Sequence, residues 1–169
     1  MDFDIKFEGL DGIIKKIDKI DDVQPLTQAM YDAVDIVEES AKHKAPKGVT
    51  GQLEQEIKNK VEVIGTEIVG TVFNELEYAP YLEYGTGAFR ESNPTNGYWI
   101  YVGDKDYKPN SKKSTKRYTL EEAKQIVAIM RKKGLEAYYT NGQHPQPFMR
   151  PALEENKDKI RKIFKEALK

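Results

Sequence analysis

The sequence predicts a mixed fold of helices and β-strands, and three observations carry that prediction. Apolar residues recur at helical spacing over residues 26–41. Beyond Gly51 the spacing changes to alternation over residues 57–73, interrupted by a Gly65-Thr66 turn, which is the pattern of a β-hairpin. A third stretch, residues 144–153, combines three prolines with a phenylalanine, and a second helical pattern follows it.

The composition suits one domain that spans residues 1–169. Hydrophobic residues make up 38% and charged residues 33%, which is polar for a self-contained globular protein. No stretch approaches the roughly 20 apolar residues that a membrane span requires, and the first four residues lack the basic region of a signal peptide. The absence of cysteine excludes disulfides and thiol chemistry, and it fits a protein made in a cytoplasm.

The charge is unevenly distributed along the chain. Residues 1–40 carry four lysines and eleven acidic residues, whereas the remainder carries 23 basic and 17 acidic residues. Two faces of opposite sign suit head-to-tail contact between copies, and a solvated surface explains the same distribution about as well.

The elements follow one another with recognisable boundaries. Residues 3–7 alternate as a short strand, and residues 10–20 have helical spacing. Pro25 opens a longer helix that Pro46 and Gly48 end, and its apolar stripe consists of Leu26, Met30, Ala33, Val34, Val37 and Ala41. In the hairpin that follows, Gly70 is a candidate β-bulge.

A tyrosine-rich stretch comes next, and glycines end it. Tyr78, Tyr81 and Tyr84 lie in a short turn of helix or loop. Tyrosine carries a large apolar area with a polar end, so it serves both cores and subunit interfaces. The sequence does not distinguish between a position in the core and a position in a subunit interface.

The next segment is predicted to be mostly loop, with a compact aromatic strand at residues 98–102. Residues 105–117 hold six basic residues and one acidic residue, which indicates a mobile surface loop. Its basic side chains are candidates for contact with a partner: Lys108, Lys112, Lys113, Lys116 and Arg117. They could also contact phosphates, with Tyr107 and Tyr118 available for stacking.

A helix and a stiff joint complete the chain. Thr119 and Glu122 form a capping box for a helix that Gly134 closes, and residues 137–139 suit one more strand. Pro145 and Pro147 favour extended backbone before them. We expect Phe148 to be a core anchor, Arg150 to be extended, and Pro151 to occupy the first position of the C-terminal helix.

The chain shows no pattern typical of catalysis, of a metal site or of a cofactor site. His43 and His144 lack clustered partner ligands, and the carboxylates are scattered over predicted solvated helix faces. Gly85-Thr86-Gly87 is too short for a phosphate-binding loop. We therefore expect a protein that is not an enzyme and that uses no cofactor.

Two signatures are similar to those of a known family. Tyr81-Leu82-Glu83-Tyr84-Gly85-Thr86, followed much later by Gln146-Pro147-Phe148-Met149-Arg150-Pro151-Ala152-Leu153, resembles the neck and tail-completion (head–tail joining) proteins of long-tailed phages. The N-terminal part of the chain also resembles these proteins, at Gly9-Leu10-Asp11, at Ala45-Pro46 and at the Thr50-Gly51 turn before Leu53. The resemblance covers about residues 5–87 and 137–168.

The resemblance implies an α+β fold, in which a long N-terminal helix and a C-terminal helix pack on a curved antiparallel sheet. Residues 88–139 depart from the family pattern as an inserted loop and helix. The implied function is a ring, typically of six copies, at the head-proximal end of the tail. It would contact the connector or stopper and the tail terminator or tail tube, and DNA would pass through its lumen without specific recognition.

The resemblance also implies a virion location, no membrane, and a set of interface or structural residues: Tyr81, Tyr84, Gly85, Thr86, Gln146, Pro147, Phe148, Arg150 and Pro151. Two other classes of function stay open from the residues. One is a nucleic-acid-binding domain that uses residues 105–117. The other, weaker one is a hydrolase, which would need a closed pocket with convergent polar groups.

Overall fold

The computed structural model describes residues 3–6, 23–48, 50–65, 67–103, 112–113 and 116–169, with the backbone alone at 3–6 and 112–113. The helices are α1 (Gln24–Lys44), α2 (Gln52–Gln55), α3 (Ala79–Tyr84), α4 (Leu120–Lys132) and α5 (Met149–Ala167), with a 3-10 turn at Gly87–Phe89. The strands are β1 (Phe3–Lys6), β2 (Ile57–Ile64), β3 (Glu67–Asn74), β4 (Trp99–Val102), β5 (Lys112–Lys113) and β6 (Ala137–Thr140). The predicted α+β class is confirmed, and the helix predicted for residues 10–20 lies outside the described residues.

The chain divides into two compact units. The first comprises residues 1–83 and 146–169, and the second comprises residues 84–145. The predicted insertion, residues 88–139, lies within the second unit. The single domain, the insertion and the curvature of the sheet stay predictions.

The first unit contains an antiparallel sheet with the strand order β1-β3-β2. The predicted hairpin is present, and its register runs without interruption from the Ile57–Asn74 pair to the Ile64–Glu67 pair. The bulge predicted at Gly70 is wrong, because Gly70 lies directly opposite Val61 in that register. Glycine is needed at this position for a different reason. A Cβ atom there would lie 2.5 Å from both Met30 Sδ and Val34 Cγ1 of α1.

Gly70→Ala is therefore expected to destabilise the first unit by about 1–3 kcal/mol, because the side chains of Met30 and Val34 would have to move out of their packed positions. Gly48→Ala is the matched control, since nothing lies within 4 Å of a Cβ atom at that position. Chemical denaturation of the two variants measures the difference. Equal stabilities would show that the close approach of α1 to β3 is not maintained in solution.

Helix α1 forms the centre of the core of the first unit. It packs against β2 and β3 and also against α5, and the entire predicted apolar stripe is buried. The buried cluster includes Leu26, Ala29, Met30, Ala33, Val34, Val37, Ala41, Leu53, Ile57, Val72, Phe148, Ala152, Ile160 and Phe164. An ion pair between Lys44 and Glu155, with a nitrogen–oxygen distance of 2.7 Å, links the C-terminal end of α1 to the first turns of α5.

The second unit contains an antiparallel sheet with the strand order β5-β4-β6, and α4 packs on it. The predicted capping box of α4 is present: Thr119 Oγ1 accepts from the Glu122 N–H, and the Glu122 carboxylate accepts from the Thr119 N–H. The hydrogen bond from the Thr119 backbone lowers the pKa of Glu122. Gly134, at a φ of 79°, follows the end of the helix as predicted.

The loop prediction for residues 105–117 is wrong at two positions. Lys112 and Lys113 form β5, which pairs with Val102 and Tyr101 of β4. The amino-acid composition does not predict such a short strand, because β5 is polar and only two residues long. Most of the remaining loop, including Lys108, lies outside the described residues.

Candidate functional site

The two signatures meet at the carboxylate of Glu83 in the first unit. Glu83 lies in α3, and its exposed fraction is 0%. Helix α5 begins at Met149 after Phe148, whose side chain offers no acceptor to the first N–H groups of the helix. A helix that begins without its own cap requires an acceptor from elsewhere in the chain.

Glu83 supplies that acceptor. One carboxylate oxygen accepts from the backbone N–H groups of Phe148 and Met149 at 2.8 and 3.0 Å, and the other accepts from the N–H of Arg150 at 3.0 Å. The Arg150 side chain adds an ion pair from Nε at 3.0 Å and donates from Nη2 to the Glu83 carbonyl oxygen at 3.1 Å. We call this set of contacts the Glu83 cap.

The Glu83 cap explains why α5 begins two residues earlier than predicted. Arg150, which was expected to be extended, is already helical, and Pro151 occupies the third helical position. Proline is tolerated there because the N–H groups of the first turn have no partner within the helix. The negative charge that a helix N-terminus favours comes from Glu83, and no acidic residue lies in the first turn of α5.

Glu83 lies within the first signature, but no role was expected for it from the sequence. A signal was available in the chain: the residues before α5 include no Ser, Thr, Asp or Asn at the capping position, although the pattern requires a helix start. A buried carboxylate elsewhere in the chain is one of few groups that can supply the missing acceptor.

The structure separates the remaining predicted residues of the first unit into buried and exposed ones. Phe148 is fully buried in the core, in agreement with its predicted anchor role. Gln146 donates from its backbone N–H to the Leu82 carbonyl at 2.7 Å, which holds the second signature beside α3. Tyr81 has an exposed fraction of 58% and Tyr78 one of 41%, so neither belongs to the core.

In the second unit, Gly85 and Thr86 fix a tight turn. Gly85 has a φ of 73°, and a Cβ atom there would lie 2.7 Å from the Phe89 carbonyl oxygen, so glycine is required. Thr86 exchanges two hydrogen bonds with Gln143: its N–H donates to the Gln143 carbonyl at 2.9 Å, and its Oγ1 accepts from the Gln143 N–H at 2.9 Å. Tyr84 is half-buried.

The described basic residues near β5 take part in packing within the second unit. The Arg117 guanidinium lies 3.4 Å from the centroid of the Trp99 ring, and its Nη2 donates to Thr95 Oγ1 at 2.9 Å. Lys116 Nζ lies 5.3 Å from the Tyr118 ring centroid. Arg117 therefore packs within this unit through Trp99 and Thr95, although its buried Nη1 makes no hydrogen bond to a described residue, and this position was not expected from the sequence.

The two histidines lie in separate places. His43 lines a groove between α1 and α5, and the His144 ring stacks 3.7 Å from Phe89 in the second unit. Within the described residues, His, Asp and Glu side chains form no group of three that could hold a metal ion. None of the helices in the described part of the chain is long and apolar enough to cross a membrane.

The comparison with protein families bears on the first unit. Residues 11–85 match the model of the HK97-gp10-like family. The family is described as "Bacteriophage HK97-gp10, putative tail-component". The predicted resemblance to phage tail proteins is thereby confirmed over this segment. The search of curated proteins and the search of solved structures gave no significant match.

The match identifies the chain as similar to a phage tail component, which works beside other tail and neck proteins of the virion. The matched segment includes α1, the β2-β3 hairpin and α3 with Glu83. It ends at Gly85, within the first signature, so the second signature and nearly all of the second unit lie outside it. Within the match, Leu82 and Glu83 accept hydrogen bonds from the second signature.

Proposed function

We propose that this chain is a structural protein of a long-tailed phage or prophage that forms a ring, typically of six copies, at the head-proximal end of the tail. The family match over residues 11–85 carries the proposal. The ring joins the tail to the head connector, it contacts the stopper and the tail terminator or tail tube, and DNA passes through its lumen. In this role the chain is not an enzyme.

The Glu83 cap supports a role of this kind because it joins α3 to the start of α5 within the first unit. A carboxylate that accepts four hydrogen bonds in a fully buried place holds the start of α5 against α3. Tyr81, on the same short helix, projects into solvent from this fixed base. Exposed aromatic residues on rigid elements are typical of subunit interfaces, where they bury a large area at a low cost in side-chain entropy.

We propose interface or structural roles for the signature residues and a neutral or acidic lining for the lumen. Passage of DNA requires that the lining does not grip the duplex, because each neutralised phosphate adds affinity through counterion release. The lysines near β5 would then point outward or towards a neighbouring protein. Residues 88–139, which lie within the second unit and outside the family match, would be the inserted part of the chain.

Electron microscopy of purified particles tests the proposal. With a label fused to the chain, we expect density in a ring between head and tail. The informative variant reverses Lys112, Lys113 and Lys116 to glutamate. If particles lacked the chain, and the free protein bound duplex DNA with a steep salt dependence that this variant abolished, the nucleic-acid-binding function would replace the ring.

A further inference from the structure

The β2-β3 hairpin extends beyond the helix that covers its base. We call residues 62–65 and 67–69 the hairpin tip; Thr66 lies outside the described residues. Alternate side chains of a strand point to opposite faces. Val63 therefore lies on the face that α1 covers at Ile57, and Ile64 lies on the other face. Both have an exposed fraction of 60%, so the tip presents apolar side chains to solvent on both faces.

An exposed apolar tip is unfavourable in an isolated subunit. A two-stranded ribbon without a covered face is marginally stable in water. In addition, β2 is an edge strand that pairs only with β3 among the described residues. Exposed apolar side chains on an unpaired edge favour association with another surface.

The charge of the hairpin tip indicates which surface the tip would bind. The tip carries Glu62 and Glu67 and no basic residue. The C-terminal half of α5 together with the two residues after it, residues 159–169, carries five basic residues and one acidic residue, and we call this segment the basic end of α5. Its exposed charged side chains include Arg161, Lys162, Lys165 and Lys169. Half-buried Ile163, Ala167 and Leu168 lie among them, so apolar and basic groups alternate along this surface.

The two surfaces belong to different elements of the first unit. Helix α1 packs against the hairpin and also against α5, so the tip and the basic end belong to two different elements that α1 contacts. A contact between the tip of one copy and the basic end of α5 in another copy is therefore heterologous. Heterologous contacts repeat from copy to copy and close into a ring when the rotation between copies allows it.

We propose that the hairpin tip of one copy binds the basic end of α5 in the next copy. The inference rests on the proposed ring and names the surfaces that hold it together. Val63 and Ile64 contribute apolar area at the centre of the contact, and Glu62 and Glu67 face the lysines at its edge. Charges at the edge of an interface mainly set its orientation and its rate of association.

The absence of cysteine from the chain allows a direct test by disulfide trapping in purified particles. Ile64→Cys combined with Lys165→Cys is expected to give covalent multimers on oxidation, because a disulfide forms only where two Cα atoms approach within about 7 Å. The matched control pairs Ile64→Cys with Lys157→Cys, an exposed lysine of the same helix outside its basic end. The control is expected to remain monomeric on a denaturing gel.

Charge reversal gives an independent readout. Glu62→Lys with Glu67→Lys should reduce incorporation of the chain into particles by about tenfold, and Lys162→Glu with Lys165→Glu in the same chain should restore part of it. The altered side chains are exposed, and the exposed Lys60–Glu62 ion pair that the reversal breaks contributes at most about 1 kcal/mol, so thermal unfolding of the free protein should change little. A ring in particles without multimers from the 64–165 pair would overturn this inference and leave the proposed function intact. Particles that lack the chain altogether would overturn both.

Discussion

Phe148→Ala is expected to lower the free energy of unfolding of the first unit by about 3–5 kcal/mol. The ring is fully buried in the core that α1, the sheet and α5 share. The substitution keeps the backbone N–H that donates to Glu83, so the measured loss reports the missing ring alone. A loss of this size is a large share of the 5–15 kcal/mol that typically stabilise a domain.

Denaturant unfolding followed by circular dichroism measures the effect, and Tyr81→Ala is the matched control. Tyr81 is another aromatic residue of the same signature pair, but most of its surface is exposed. Its truncation should change the stability of the free protein by less than about 1 kcal/mol and should impair incorporation into particles. A Phe148→Ala loss as small as that of the control would show that the ring does not occupy the core in solution.

Glu83→Ala should destabilise the first unit by a comparable amount, about 3–5 kcal/mol. Removal of the carboxylate leaves the backbone N–H groups of Phe148 and Met149 without an acceptor in a buried place. It also leaves the Arg150 guanidinium without its ion pair. The first turn of α5 should fray, and amide hydrogen exchange at residues 148–150 should accelerate.

Arg150→Ala distinguishes the two parts of the Glu83 cap. The Arg150 side chain is 38% exposed, and its loss leaves Glu83 with three backbone donors. We expect a smaller cost of about 1–2 kcal/mol. A double-mutant cycle separates the ion pair from the backbone contacts. Should Arg150→Ala cost more than Glu83→Ala, the ion pair and not the capping of α5 would be the main contribution.

The elements that sequence reasoning placed well are those whose signals lie within a few residues. The buried stripe of α1 follows from spacing, and the β2-β3 hairpin follows from alternation and a two-residue turn. The capping box of α4 is a contact between residues three apart, so the motif itself describes the geometry. The burial of Phe148 was also predictable, because a large apolar residue between a stiff segment and a helix favours the core.

The tertiary structure decided what depends on partners distant in the chain. Gly70 looked like a bulge because no local pattern shows that α1 crosses the sheet at that point. Arg117 looked like a solvent-exposed loop cation, yet it stacks on Trp99 in the fold. Tyr78 and Tyr81 were compatible with a place in the core or in a subunit interface, and only the folded chain shows that the core does not include them.

At the start of α5, the local sequence determined one feature of the site and the tertiary structure determined another. The prolines and the apolar spacing of residues 145–164 determined that a helix begins there. The residue at which it begins depends on Glu83, an acceptor 65 residues earlier in the chain than Phe148. Spacing along a sequence reports the face of a helix, because that face repeats every few residues. A buried carboxylate that caps a distant helix has no such repeat, and only the folded chain brings the acceptor to its donors.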